Sequence, residues 1–370
     1  MKIAIYEVDH FFGNTLCQIF ANHEITIITN KEFGDSMKAY TPDIQMHHFL
    51  YIDNLKNDKR KVIDYIKESR IDIFIVCPIF AFYYDMLCVF KNINCKKILT
   101  IHNLNTWFYH RFWSPLSLWN KICMKLLIEN STYIAVEDFI FNHLKSTKDV
   151  LFEKYNFIYI PYSLYSSDLI DRKPKVIDKV RVVLVGSIDC ERRDYGDVMC
   201  LIDHFYRTNE TEHVQFHFAG MPKGKAGETV KNKLLEYSIT DSDYVKVFDS
   251  SSTVQNYLDE MRDANLLIAS SKTTFEGNGT LEYIGKTKPT GALNAAVTFQ
   301  LPSLMPSHLS IPEEMKESIF SYASAEELIN IFRKIIDNKK ILGDWNLYAI
   351  ENSKKYTPEF VLNSIANCLK

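Results

Sequence analysis

This sequence predicts an α/β fold of two Rossmann-like, doubly wound halves facing across a cleft. Short apolar runs alternate with amphipathic stretches along the whole chain, the pattern of parallel strands joined by crossover helices. The alternation breaks once, across Tyr162–Lys179, where serines, Pro174 and mixed charges gather without a sustained period. It then starts afresh with the β-branched run Val180–Val185, which ends in Gly186-Ser187 as the first strand and loop of a second such unit would. At 370 residues and 46% hydrophobic content, the chain has material for two cores of ordinary size.

In the first half the expected strands are Lys2–Tyr6, Glu24–Thr29, Asp72–Cys77, Lys97–Ile101, Tyr133–Val136 and Phe157–Ile160. Each is a short apolar run bounded by polar or turn-forming residues. Asp58–Ser69 is the clearest helix between them, with Asp58 as its cap and Val62, Ile63 and Ile66 on one face. Ile73–Phe90 is the stretch most like a membrane span, but Pro78 and Asp85 interrupt it, and a span needs roughly 20 predominantly apolar residues. A buried strand followed by a helix is the better reading.

After Val180–Val185 the second half continues with Gln215–Ala219, Tyr244–Phe248, Asn265–Ala269 and a last strand at Leu301–Met305. Ser324–Ile336 and Asp344–Leu369 are helical by period, and Ser324 followed by Glu327 is a capping-box signature. The expected division is a first domain over 1–168, a second over 179–345, and a terminal helical segment over 346–370.

Composition excludes several classes. With 43 basic against 46 acidic residues the net charge is −3, so no global field draws nucleic acid and any anion site must be local. The 8 cysteines include no C-x-x-C pair, which suits free thiols in a reducing cytosol rather than a disulfide frame or zinc site. Met1-Lys2 runs straight into the strand Ile3-Ala4-Ile5-Tyr6, so the expectation is a cytoplasmic protein without a secretory leader.

Gly285–Pro302, GKTKPTGALNAAVTFQLP, carries the densest functional signal. Lys286 and Lys288 precede Thr290-Gly291 and an apolar helix, so positive charge and bare helix amides converge on one anion. A nucleotide-sugar diphosphate fits that site. The Gly279 to Lys286 stretch has five residues between its glycines, whereas a Walker loop has four, so a glycine turn before a helix is the expected role rather than an ATPase loop. Asp241-Ser242-Asp243 has the letters of a metal-binding Asp-x-Asp but stands before its strand, while ligand sites in α/β folds lie past the strand ends. A local turn is the expected role, and no metal is expected.

Four segments resemble the GT-B glycosyltransferases that build bacterial surface polysaccharide: VLVGSIDCERRDY (183–195), FHFAG (216–220), VQNYLDEMRDANLLIAS (254–270) and TGALNAAVTFQLPSLMP (290–306). The likeness follows nearly the whole chain in order of elements. It implies that Gly186 and Arg193, seven residues later, approach the donor diphosphate, and a guanidinium fork is suited to two phosphate oxygens. Relatives carry Arg directly after that glycine; here the residue is Ser187, with Arg192 as a candidate substitute. The family's pair of glutamates falls on Thr287 and Ala295, with Asn294 the nearest polar neighbour of the second. Glu276 and Glu282 stand upstream as candidates to reach the sugar, with solvated loop positions as the alternative. The diphosphate would be held by Lys286 or Lys288, Thr290 and Gly291 without a metal or other cofactor.

The resemblance places the acceptor in the first domain. Glu7–Asn14, EVDHFFGN, matches loosely the loop that borders both substrates, which marks His10, Gly13 and Asn14. The strand ending in His102-Asn103 resembles the family's apolar strand with a histidine beside the donor sugar, where a neutral imidazole polarises the sugar or bonds the acceptor. Trp107–Trp113, Trp119, Lys121 and Lys125 mix aromatics with basic residues, as at an anionic lipid surface, while Trp119, Ile122, Cys123, Leu126 and Leu127 have core-helix spacing. The terminal helix would cross back onto the first lobe, with Trp345, Tyr348 and Tyr356 suited to that packing. Transfer to a glycan or lipid-linked acceptor at the inner face of the membrane, with retention of configuration, is the implied activity. A nucleotide-sugar epimerase and a non-catalytic nucleotide-sugar binder are the alternatives.

Overall fold

The computed structural model describes residues 1–8, 12–40, 42–109, 114–165, 178–238, 241, 243–249, 253–277 and 279–369. His10, His110–Trp113, Ser242 and most of the expected interdomain linker lie outside the described residues.

The first domain is a seven-stranded parallel sheet built from β1 (Lys2–Tyr6), β2 (Glu24–Thr29), β3 (His48–Tyr51), β4 (Ile73–Val76), β5 (Lys96–Thr100), β6 (Tyr133–Val136) and β7 (Phe157–Tyr159). Its order is β3-β2-β1-β4-β5-β6-β7, which reverses direction at β1 as a doubly wound sheet does. Crossovers are made by α1 (Phe12–Ile19), α2 (Lys31–Tyr40), α3 (Leu55–Glu68), α4 (Tyr83–Asn92), α5 (Leu104–Phe108), α6 (Pro115–Glu129), α7 (Asp138–Thr147) and α8 (Val150–Lys154). Both sheet faces are covered, one around Phe74, Phe90 and Leu127 and the other around Ile3, Phe12 and Phe20, so the strands read as continuous apolar runs.

Strand β3 was not expected. It is a half-exposed edge strand of four residues without β-branched side chains, so it carries little of the signal that marks a buried strand. Helix α3 begins before Asp58: Asn54 is the cap, its Oδ1 accepting from Asn57 N–H at 3.1 Å. Asp58 instead accepts from Asp53 N–H at 2.8 Å within the first turn.

The second domain holds a six-stranded parallel sheet of β8 (Val180–Val185), β9 (Val214–Ala219), β10 (Val245–Val247), β11 (Leu266–Ile268), β14 (Ser303–Pro306) and β15 (Ile319–Tyr322), ordered β10-β9-β8-β11-β14-β15. Its helices are α9 (Gly196–Arg207), α10 (Gly224–Glu236), α11 (Val254–Asp263), α12 (Gly291–Thr298) and α13 (Ala325–Asp337). A separate antiparallel hairpin, β12 (Thr274–Gly277) and β13 (Thr280–Tyr283), is inserted between β11 and α12. The sequence pattern marked neither this hairpin nor β15, which follows β14 without an intervening α-helix to set the alternation.

The chain ends in two helices, α14 (Lys340–Ser353) and α15 (Pro358–Leu369), rather than one continuous helix. The break falls at Thr357, which is extended with ψ 151 because proline at the next position disfavours the helical region. Trp345 stacks on Phe320 of the second domain at 3.7 Å, and Tyr348 is exposed. Past the break, Val361, Ile365 and Leu369 join the apolar layer of the first domain. Tyr356 stands at the crossing, its hydroxyl donating to Asp138 Oδ2 at 2.9 Å.

Candidate functional site

The cleft between the domains contains a cavity of about 230 Å³ lined by His102, Glu137, Arg192, Arg193, Ser271, Ile284, Lys288, Pro289, Thr290, Gly291 and Asn294. Its wall in the second domain is built from strand ends and one helix start. Strand β8 ends at Gly186, whose φ is +80° and where an added Cβ would stand 2.3 Å from Arg193 Nη2. The left-handed backbone favours glycine here, and the absence of a side chain lets the guanidinium lie against it. At the end of β9, a Cβ on Gly220 would reach the Gly186 carbonyl carbon and oxygen at 2.3 Å, so the two strand ends meet backbone to backbone. Ser187 is half-buried and its carbonyl accepts from the Tyr195 hydroxyl at 3.4 Å; it does not line the cavity.

The adjacent arginines have different partners. Arg192 Nε donates to the buried Asp189 Oδ2 at 2.8 Å, so its charge is already balanced. Among the described residues, no carboxylate lies within ion-pair distance of Arg193, and burial lowers its pKa from the ordinary arginine value. Lys288 is also buried, and among the described residues no carboxylate pairs with it. Its Nζ donates to Asn103 Oδ1 at 2.7 Å and stands 5.3 Å from the Phe275 ring centroid. Burial, reinforced by the Arg192 charge, pushes it down to about 8 against the pull of Glu282 and Glu137. Lys286 is exposed and lies outside the cavity lining.

Thr290 caps α12, its Oγ1 accepting from Ala292 N–H at 3.4 Å, and space is open in front of Gly291. The helix start is thus a cluster of backbone donors facing the same cavity as two cations. Asn294 lies one turn further in. Asn103, the N-cap of α5, reaches this wall through Lys288.

The opposite wall comes from β5 and β6, which pair in parallel. His102 follows the first and Glu137 the second, so adjacent strand ends bring His102 Nδ1 within 3.3 Å of Glu137 Oε1. Burial raises Glu137 well above the usual carboxylate range. Burial, with Lys288 and Arg192, pushes His102 down to about 3. The pair is accordingly uncharged, with a neutral imidazole at the cavity. Sequence reasoning passed over Glu137; the available signal was its place directly after a strand, equivalent to that of His102.

Other expected residues lie elsewhere. Glu276 is exposed on the hairpin opposite Leu281 and does not line the cavity. Glu282 is fully buried and accepts hydrogen bonds from protein donors. Gly13 N–H donates to the buried Glu7 Oε2 at 3.1 Å, and Asn14 faces a separate cavity of about 200 Å³ beside Cys17 and His47. Of the Asp-x-Asp stretch, Asp243 N–H donates to Asp241 Oδ1 at 3.0 Å ahead of β10. Among the described residues there is no cluster of three His, Cys, Asp or Glu suited to a metal.

No protein-family model matches the sequence. A search of curated proteins finds no significant match. Solved structures do match over the whole chain. Sucrose-phosphate synthase from Thermosynechococcus elongatus superposes with a TM-score of 0.66 at 12% identity, covering 100% of this chain and 98% of its own. Anabaena HepE in complex with UDP gives 0.66 at 12% identity, covering 100% and 99%. A Listeria monocytogenes protein provisionally assigned as a UDP-N-acetylglucosamine 2-epimerase gives 0.61 at 12% identity, covering 100% and 95%. With its two parallel sheets and the return of the last helix to the first domain, this chain has the GT-B fold.

Proposed function

We propose that the chain is a glycosyltransferase that moves a sugar from a nucleoside diphosphate to an acceptor hydroxyl without a metal ion. One observation carries this reading: Arg193, Lys288 and the start of α12 face a single cavity, and neither cation has a carboxylate partner among the described residues. A diphosphate supplies the missing negative charge. As the glycosidic bond breaks, the leaving diphosphate gains charge, and fixed cations and amides stabilise it without reorganising. The sugar then sits toward His102 and Glu137, where the neutral imidazole orients the sugar or the incoming hydroxyl. HepE, solved in complex with UDP and of the same fold, supports a nucleotide as ligand.

The acceptor in this proposal is a lipid-linked glycan of surface-polysaccharide synthesis, presented at the inner face of the membrane. Phe80, Phe82 and Tyr84 at the start of α4 are exposed, as are Leu116, Leu118, Trp119 and Ile122 on α6, with Lys121 and Lys125 on the same helix. Tyr84 and Trp119 touch at 5.7 Å between ring centroids, so the two groups form one patch. Helices α4 and α6 begin beyond the carboxyl ends of β4 and β5, the edge of the sheet that forms the cleft. Aromatic and apolar side chains beside lysines suit the headgroup region of an anionic bilayer. Among the described residues, no helix is long and apolar enough to cross a membrane.

Thermal stabilisation across a panel of nucleoside diphosphates and their sugars, with and without chelator, tests the donor site. A base-selective shift that survives chelation and is lost in Arg193→Ala is expected; no shift with any nucleotide overturns the reading. The anomeric configuration of the transferred sugar, read by NMR, tests the retention that the family resemblance implies. The proton-carrying pair His102 and Glu137 also favours a second reading, epimerisation, which predicts a changed sugar nucleotide with no acceptor present.

A further inference from the structure

One buried carboxylate of the second domain is hydrogen-bonded to the first. Glu282 Oε1 accepts from Thr106 N–H at 2.7 Å and Thr106 Oγ1 at 2.8 Å. Its Oε2 accepts from Asn105 N–H at 3.2 Å and Thr287 Oγ1 at 2.7 Å. Three of these donors belong to the first domain, 176 or 177 residues away in the chain. Helix α5 has only 5 residues, and its own cap residue, Asn103, makes no capping bond because its Oδ1 receives Lys288 Nζ. The cap is supplied instead from the other domain. Leu104 N–H to the Thr287 carbonyl at 2.9 Å and Asn105 Nδ2 to the Leu281 carbonyl at 2.8 Å extend the same seam.

We propose that Glu282 is a positioning residue: it latches the β12–β13 hairpin onto α5 and thereby sets the register in which His102 of one domain faces Lys288 of the other. A fully buried carboxylate held by four neutral donors is costly to leave unsatisfied, so the seam opens or closes as a unit. Residues 102–106 and 281–288 carry a face of the cleft on each side of it. The consequence for turnover rests on the glycosyltransferase reading above, whereas the latch itself does not.

The test compares the full-length wild type with Glu282→Ala and, as a milder change that keeps the carboxylate, Thr106→Val. Amide hydrogen exchange across 104–108 should quicken by about tenfold or more in either variant, while amides of β1 and β8 keep their protection. The His102 imidazole distinguishes positioning from simple capping. Glu137, Lys288, Arg192, Glu282 and the Tyr162 ring surround it. Losing the Glu282 charge alone pushes its titration further down, whereas opening the latch exposes it and moves the titration up. An imidazole Cε1–H resonance that titrates above pH 5 in Glu282→Ala supports the latch. Unchanged exchange at 104–108 overturns it, as does faster exchange with a silent His102. If Glu282→Ala does not fold, the same two readouts on Thr106→Val decide. Calorimetry of the wild type with a panel of nucleoside diphosphates tests the nucleotide reading separately: no binding by any of them, with the expected exchange in the variants, removes the glycosyltransferase and leaves the latch.

Discussion

Lys288 of the second domain donates to Asn103 of the first across 2.7 Å, and this neutral amide is its hydrogen-bonding partner in the cleft. A buried ammonium satisfied by an amide and an aromatic face remains poised for an anion. Burial holds it at about 8, so near neutral pH it is mostly charged, and above that it loses its proton and its attraction for phosphate. Binding a diphosphate favours the charged form, so affinity should fall as pH rises through about 8, by up to about tenfold per unit. In Lys288→Met the affinity should be weaker at pH 7 and flat from pH 7 to 9. Calorimetric titration with a nucleoside diphosphate at three pH values measures both, and an unchanged slope in the variant would remove Lys288 from the site.

Arg193 and Gly186 should fail for different reasons. Arg193→Ala removes a half-buried cation with no carboxylate partner, so the protein should keep its stability and lose diphosphate affinity by roughly ten- to a hundredfold. Gly186→Ala must place a methyl 2.3 Å from Arg193 Nη2 at φ +80°. It should both destabilise the fold by about 1 kcal/mol or more and displace the guanidinium. Thermal midpoints with and without nucleotide separate the two: the ligand-induced shift disappears in both, but only Gly186→Ala starts lower.

The same two residues show what a sequence can convey. Gly186 and Arg193 were singled out by the family resemblance of the segment after a β-branched strand, and Arg193 lines the cavity with its guanidinium against Gly186. His102 was singled out by the same resemblance and Thr290 and Gly291 as the start of an apolar helix, and all three line the cavity. Adjacent residues of like charge were harder. Arg192 and Lys286 match Arg193 and Lys288 in type, yet Asp189 neutralises one and solvent surrounds the other. Glu282 was legible only as a carboxylate near the site, since its partners lie 176 or 177 residues away. The edge strand β3 and the hairpin were missed because half-exposed short strands lack the apolar run that marked the buried ones.

Glu137 and His102 should act together. Replacing Glu137 with Gln keeps the shape and the burial but removes the carboxyl that faces the imidazole at 3.3 Å. If the pair assists proton transfer at the acceptor, turnover should fall by about a hundredfold or more with diphosphate affinity preserved. His102→Gln should cost a similar factor, and the double variant little beyond either single one. Independent, multiplying losses would show that the residues serve separate roles.

Asp138 links the returning C-terminal segment to the first domain and should make stability depend on pH. Burial raises its pKa to about 7, with the Tyr356 hydrogen bond opposing and Glu314 and Glu137 adding to the rise. Its pKa in the unfolded chain is near 3.9. Below about pH 4 the carboxyl is protonated in both states and contributes no slope. Between about pH 4 and 7 the unfolded chain ionises while the folded protein retains its proton, so stability falls as pH rises, and above 7 the loss is complete. The full effect is on the order of 4 kcal/mol. Asp138→Asn has no proton to lose and keeps an oxygen to accept from the Tyr356 hydroxyl. Relative to wild type, it should therefore gain stability from pH 4.5 to 7 and level off above that. Glu137 has a raised pKa and slopes the same way in both proteins, so the difference between their urea midpoints isolates Asp138. Parallel curves across that range would mean that the carboxyl ionises as readily in the folded protein as in the unfolded one, and that water reaches the Asp138–Tyr356 contact.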